Sequence, residues 1–319
     1  MFRTDSYING QWRPGPARFV VTNPATLQPL AEVADCGAPE AEAAIDAAHA
    51  AFPAWAAKTA HERGEILRRW FDLMVDAQER LALAMTREGG KPLAEARAEA
   101  RYGADFVDWY AEEAKRAYGR SIPANAASRR YVSIKQPIGV AAAITPWNFP
   151  MAMITRKAAP ALAAGCTFVV KPPSQTPLTA LILAELADKA GIPAGVFNVV
   201  TSSASDAIGK VLCESEKVRK FSFTGSTEVG KKLGALCVGS TVKRLSLELG
   251  GNAPLIVFAD ADLDVAVKGA IASKFRNAGQ VCISPTRFYV QQGIYDAFVK
   301  GFAERTAKVK IGSGLDADT

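Results

Sequence analysis

The chain has 319 residues, 49% of them hydrophobic, and balances 38 Lys and Arg against 32 Asp and Glu for a formal net charge of +6. A chain this long and this apolar buries enough surface for more than one globular unit, which excludes a disordered polypeptide. Its small basic excess alternates with acids through residues 95–101 and 112–116, as on solvated helix faces, and no basic run interleaves with aromatics, so nucleic acid is not an expected partner.

Residues 1–10 lack the apolar stretch of a secretory signal, and a cytoplasmic location is the expectation. After an irregular entry containing Asn23-Pro24, residues 40–57, 61–87 and 93–116 carry apolar side chains at helical spacing, as in Ile66, Leu67, Trp70, Phe71 and Met74. Gly89-Gly90 ends the second of these helices and Pro92 restarts the chain. In residues 130–136, Tyr131, Ser133 and Lys135 alternate with Val132 and Ile134, which predicts a solvent-facing strand available for oligomerisation. The longest uncharged run, 136–155, is broken by Pro137, Pro146 and Pro150 and does not read as a membrane span, so no membrane partner is expected.

From Gly139 the texture changes. Short apolar runs at 139–144, 167–170, 196–200, 220–223 and 245–249 alternate with helical segments at 151–164, 176–190, 205–213 and 227–236. Strand and helix in alternation predict an α/β fold, a doubly wound parallel sheet covered on both faces. Such sheets bind ligands beyond the carboxyl ends of their strands. There the sequence puts Thr145-Pro146-Trp147-Asn148, Lys171-Pro172-Pro173-Ser174, Thr224-Gly225-Ser226 and Glu248-Leu249-Gly250-Gly251: an amide, a lysine, a Gly-Ser pair and a carboxylate on one edge.

Gly225 to Gly230 follows a strand and opens a helix, so free N–H groups and the positive helix end would face a phosphate. Its GxxxxGK form resembles a nucleotide-triphosphate loop, but the Ser or Thr needed for magnesium is replaced by Lys232. A dinucleotide pyrophosphate site is the better reading, although GxGxxG is missing.

Five cysteines (Cys36, Cys166, Cys213, Cys237, Cys282) are scattered without CxxC spacing, so neither a disulfide framework nor a thiolate metal cluster is expected. Cys282 differs from the rest in ending a Gly-containing turn, and a stabilised thiolate is the best neutral-pH nucleophile among side chains. The only histidines, His49 and His61, lie in the early helices, which disfavours Cys-His and Ser-His-Asp chemistry. Glu248, at a strand end beside two glycines, is the carboxylate best placed as a general base. Asp260, Asp262 and Asp264 imitate a calcium loop, but Val265 stands where that loop needs Gly; they read as first-turn helix acids.

The motifs ITPWNFP, KPPSQTP, FTGSTEVG, LELGGN and NAGQVC, in this order, resemble the aldehyde dehydrogenase family, as do the openings YINGQW and TNPAT. ITPWNFPMAMITRKAAPALAAGC and SKFRNAGQVC look like its succinate-semialdehyde branch. The resemblance implies that Cys282 attacks an aldehyde, that the Asn148 amide and the Cys282 N–H hold the oxyanion, and that Glu248 activates water to hydrolyse a thioester. It implies NADP or NAD contacts at Trp147, Asn148, Lys171, Pro172, Pro173, Ser174, Gly225, Ser226 and Leu249. Ser174 stands where NAD-favouring members commonly have Glu, so NADP is expected to be accepted. Arg156 and Arg276 match two arginines that hold a distal carboxylate in semialdehyde dehydrogenases.

By the same likeness, residues 1–118 with 139–250 form the dinucleotide-binding domain, 119–138 an oligomerisation segment, and 251–319 the start of an α/β catalytic domain. The family forms dimers or tetramers. Two departures stand out: Ser284 replaces a second cysteine found in many relatives, and the final third of a usual family chain does not follow Thr319. Two other readings are carried forward, a non-catalytic dinucleotide-binding or interaction module and a phosphate-loop NTPase.

Overall fold

The computed structural model describes residues 2–319. Five strands, β7 (Val140–Ile144), β8 (Thr167–Lys171), β9 (Phe197–Val199), β10 (Val218–Thr224) and β11 (Arg244–Glu248), run parallel in the order β11-β10-β7-β8-β9. Alternate side chains feed two cores. Ala141, Ala143, Phe168 and Val170 face one, and Val140, Ala142, Ile144 and Val169 the other.

The first core is closed by α2 (Ala60–Asp76), α3 (Gln78–Gly89), α4 (Leu93–Glu113), α5 (Ala152–Ala163) and α6 (Leu178–Lys189). The second is closed by α1 (Ala38–Ala57), α7 (Ser205–Glu214) and α8 (Thr227–Gly239). With both faces covered, β7 and β8 are buried throughout, which is why they read as unbroken apolar runs.

Three expectations are corrected. The entry is not irregular: β1 (Ser6–Ile8) and β2 (Gln11–Arg13) extend the sheet beyond β9 in antiparallel sense, with Tyr7 opposite Val199, and β3 (Ala17–Thr22) pairs with β4 (Pro29–Asp35). Residues 61–87 are two helices, because Ala77 (φ −90°, ψ 11°) closes α2 and opens α3 while the chain bends around α4. The strand at 130–136 shrinks to β6 (Tyr131–Ser133), paired only with β5 (Arg120–Ile122); no core lies beneath it, so both its faces are exposed.

Beyond β11, β12 (Ala253–Val257) and β13 (Pro285–Val290) pair in parallel across α9 (Leu263–Phe275), and α10 (Tyr295–Thr306) follows. Val257, Val267, Ala270 and Phe298 make their separate core. Asp262 caps α9, its Oδ1 accepting from Val265 N at 3.0 Å. Among the described residues no three metal-binding side chains cluster, and no helix is long and apolar enough to cross a membrane.

The start of α6 is held by a buried glutamate. Glu88 accepts from Leu178 N at 2.7 Å, from Thr179 N at 2.9 Å and from the Thr179 hydroxyl. Burial nonetheless pushes its carboxyl up to about 7, against those hydrogen bonds. The native state therefore holds a proton that the unfolded chain, near the ordinary glutamate value of about 4.3, has released. This contribution to stability is fully present below that value and is lost as pH rises toward 7. Melting temperatures of the wild type and Glu88→Gln should differ with pH: the wild type loses ground across that window and levels off above it. Parallel curves would show that Glu88 does not titrate in the fold.

Candidate active site

From β7 the chain moves outward through β8 and β9, then returns to lay β10 on the other side of β7. Strand order reverses between β7 and β10, and an open parallel sheet forms its ligand crevice at that point. The loop after β7 carries Trp147 and Asn148, and the turn after β10 carries Gly225 and Ser226. Glu248 ends β11 opposite Thr224, and its carbonyl accepts from Gly225 N at 3.0 Å.

Cys282 reaches this rim from outside the sheet. After α9, Asn277, Ala278 and Gly279 are all left-handed, with φ of 49°, 54° and 78°. Two non-glycine residues in that region cost about 1–2 kcal/mol each, so their surroundings must hold them. Asn277 N donates to Glu95 Oε2 (2.8 Å) and its Nδ2 to the Asn148 carbonyl (3.2 Å), while Asn148 Nδ2 donates to the Gln280 carbonyl (2.9 Å). Ser284 Oγ ties the far side to the Lys274 carbonyl at 3.0 Å. The turn delivers Cys282 to an exposed position, whereas Cys36, Cys166, Cys213 and Cys237 are buried. A Cβ added to Gly251 would lie 3.1 Å from the Cys282 carbonyl oxygen, so the turn after Glu248 abuts the thiol loop.

Cys282, Glu248, Arg156 and Arg276 line one cavity of about 760 Å³, walled by Tyr102, Phe106, Phe149 and Met153. That size suits a small organic ligand. Arg156 donates to the Tyr102 hydroxyl at 2.9 Å and lies 4.9 Å from the Phe106 ring centroid; Arg276 lies 4.9 Å from that of Phe149. Neither guanidinium pairs with a carboxylate among the described residues, which leaves both charges available to an anionic ligand.

Lys157, beside them, donates to Thr224 Oγ1 at 2.6 Å. Burial, helped by Arg156, brings its ammonium down to about 8, and the Glu248 charge opposes the shift. Sequence reasoning missed Lys157, Tyr102 and Phe106. Only the wide separation between α4 and α5 in the chain hid the two aromatics, since those helices pack closely.

Asn148, Trp147, Lys171 to Ser174, Gly225, Ser226 and Leu249 do not line this cavity. Lys171 is buried and donates to Ser205 Oγ at 2.7 Å; burial lowers it to about 8 and Asp35 pulls it back up. Pro172 and Pro173 are buried, and Ser174, half-buried, lines a separate groove with Ser203 and Gln175. Half-buried Trp147 accepts at its carbonyl from Thr176 Oγ1 at 3.5 Å.

Ser226 caps α8, its Oγ accepting from Val229 N at 3.3 Å. A Cβ at Gly225 would come within 2.4 Å of the Phe223 ring, and one at Gly230 within 2.4 Å of Leu249. Both positions therefore exclude a side chain, and the first-turn N–H groups of α8 that lack an intrahelical partner could receive a phosphate. Lys232, where a triphosphate loop needs Ser or Thr, pairs with Glu228 at 2.9 Å on an exposed helix face.

Fold and site define an α/β protein with a dinucleotide-type crevice beside a thiol and a carboxylate that share one pocket. The aldehyde dehydrogenase family's sequence profile matches residues 12–319, and the chain belongs to that family. It is 59% identical to the NADP(+) succinate-semialdehyde dehydrogenase of Escherichia coli over 99% of its own length and 66% of that relative's. It is 57% identical to the glutarate-semialdehyde dehydrogenase of Pseudomonas putida, over 100% of this chain and 66% of that one. The crystal structure of an E. coli NADP-dependent enzyme superimposes with a TM-score of 0.98 at 58% identity, covering 100% of this chain and 66% of that one. The chain thus spans about 66% of the length of the relatives it matches.

Proposed function

We propose that this chain carries the acyl-transfer site of an NAD(P)-dependent dehydrogenase that oxidises an aldehyde bearing a distal carboxylate, such as succinate or glutarate semialdehyde. The observation that carries the reading is the single cavity shared by Cys282, Glu248, Arg156 and Arg276. Cys282 attacks the aldehyde carbon. The amide of Asn148 has two N–H bonds, one committed to Gln280, and the other is free to stabilise the developing oxyanion beside the Cys282 N–H. A bound nicotinamide would supply the hydride acceptor, and loss of that hydride converts the adduct on Cys282 to a thioester. Glu248 then takes a proton from water, which attacks the thioester carbon, releases the acid and restores the thiol.

Arg156 and Arg276 hold the substrate's far carboxylate. A hydrogen bond to a charged group is worth about 1.5–3 kcal/mol, so Arg156→Leu should raise KM for succinate semialdehyde by roughly 10- to 100-fold by that measure. An uncharged aldehyde of equal length should hardly respond. Equal losses on both substrates would remove the clamp.

Residues Trp147, Lys171 to Ser174, Gly225, Ser226 and Leu249 would hold the dinucleotide. Ser174 adds a hydroxyl and no negative charge of its own, which is compatible with a 2′-phosphate. In Ser174→Glu, the ratio of kcat/KM for NADP to that for NAD should fall by on the order of tenfold, since a new carboxylate repels that phosphate; an unchanged ratio would place cofactor choice elsewhere. The separate cores favour a division into a dinucleotide-binding unit and a second α/β unit that starts near residue 251. The hairpin β5–β6 exposes Ile122, Tyr131, Val132 and Ile134, a surface suited to contact with a second copy.

A further inference from the structure

Asn148 can stabilise an oxyanion only if its loop is held still, and the residues that hold it come from a part of the chain outside the cavity. Lys91, in the Gly90-Lys91-Pro92 link between α3 and α4, is buried, with a side-chain exposure of 2%. Its ammonium donates to the Asn148 carbonyl at 2.7 Å, pairs with the Glu99 carboxylate, and lies 4.3 Å from the centre of the Phe149 ring. Glu99, also buried, accepts from Met151 N at 3.0 Å and Ala152 N at 3.2 Å through its other oxygen.

The Asn148 carbonyl takes a second donor, Nδ2 of Asn277, so both of its lone pairs are committed. Asn277 is in turn anchored by Glu95, one turn before Glu99 on α4. One helical turn of α4 and the lysine before it therefore grip both the amide loop and the thiol loop. Neither Lys91, Glu95 nor Glu99 lines the cavity.

We infer that the buried Lys91–Glu99 pair is a positioning device that sets the Asn148 amide against Cys282. This inference rests on the function proposed above. Glu99 by itself has a sufficient structural task in capping α5. Lys91 does not: its hydrogen bonds end on Glu99 and on the peptide group of Asn148. With a shorter or neutral side chain at 91, that carbonyl loses a charged donor and Glu99 becomes a buried, uncompensated charge. The loop then relaxes, and displacements of about 1 Å at a reacting centre cost on the order of 10²-fold in rate.

The test compares two reactions of the same thiol in the 319-residue protein, neither of which needs a nicotinamide. With p-nitrophenyl acetate, Cys282 Sγ bonds to the ester carbonyl carbon and p-nitrophenolate leaves with the electron pair of the broken C–O bond, through an oxyanion. With iodoacetamide, the sulfur displaces iodide at a saturated carbon and no oxyanion forms. Acetylated and alkylated Cys282 are counted by intact mass and peptide mapping.

Lys91→Met should lower the acetylation rate by on the order of 10²-fold and leave alkylation unchanged. Lys91→Arg should recover part of the loss, and Glu99→Gln, which keeps the cap's shape, should show a smaller loss of the same kind. Equal falls in both reactions, or no fall in acetylation, would overturn the inference while the wild type's acetylation upheld the proposed function. A wild type that is alkylated but never acetylated at Cys282 would overturn both.

Discussion

Cys282→Ser should lower aldehyde oxidation by at least on the order of 10⁴-fold while NADP still binds, because the loss strikes the one nucleophile and nothing that folds the site. A serine hydroxyl is a far weaker nucleophile than a thiolate at neutral pH, neither histidine lies beside it, and the one carboxylate in the cavity, Glu248, serves the water of the second half-reaction. His61 lies on the outer face of α2, 3.2 Å from Glu65, and His49 lies on α1. The turn itself is fixed by Glu95, Asn148 and Lys274 through atoms of Asn277, Gln280 and Ser284. None of those bonds uses the sulfur, so the variant should melt as the wild type does. Turnover within tenfold of the wild type, on the scale where tenfold is about 1.4 kcal/mol, would mean that another group forms the covalent bond.

Glu248→Gln separates the two halves of the reaction. The amide is isosteric with the acid but cannot take a proton from water, so acylation should persist while hydrolysis falls by about 10²- to 10⁴-fold. Stopped-flow absorbance would then show one equivalent of NADPH formed in a burst, followed by almost no steady-state production. The carbonyl of residue 248 keeps its hydrogen bond from Gly225 N in the variant, since that contact is made by the main chain. A loss of the burst itself would assign Glu248 to the first half of the reaction.

The parallel sheet was legible because β7, β8 and β9 are buried on both sides and their sequences show it as short continuous apolar runs. Once those strands were located, the rule that ligands collect at their carboxyl ends picked out Asn148, Lys171, Gly225 and Glu248. The structure then divided that group. Glu248 lines the cavity with Cys282, while Asn148, Lys171 and Gly225 do not, and Asn148 is tied to the thiol loop through Gln280.

What stayed hidden was long-range. β1 and β2 are three residues each, too short for alternation to register, and exist because β9 offers an edge to pair with. The alternation at 130–136 misled for the opposite reason: the pattern is present, but nothing packs against either face. Lys91 and Glu99 look in the sequence like a loop lysine and a helix acid. Only the packing of α4 against α5 makes them a buried pair beneath Asn148. Arg156 and Arg276 were found through their likeness to semialdehyde dehydrogenases, and the cavity puts them beside the thiol without carboxylate partners.

The most direct check on the whole arrangement is to find where the acyl group goes. Glu248→Gln protein mixed with NADP and succinate semialdehyde, quenched in acid after the burst and digested, should carry a succinyl thioester on the peptide containing Cys282 and on no other. A succinyl group on Cys36, Cys166, Cys213 or Cys237, or on no cysteine despite NADPH formation, would contradict a shared pocket for thiol, carboxylate and paired arginines.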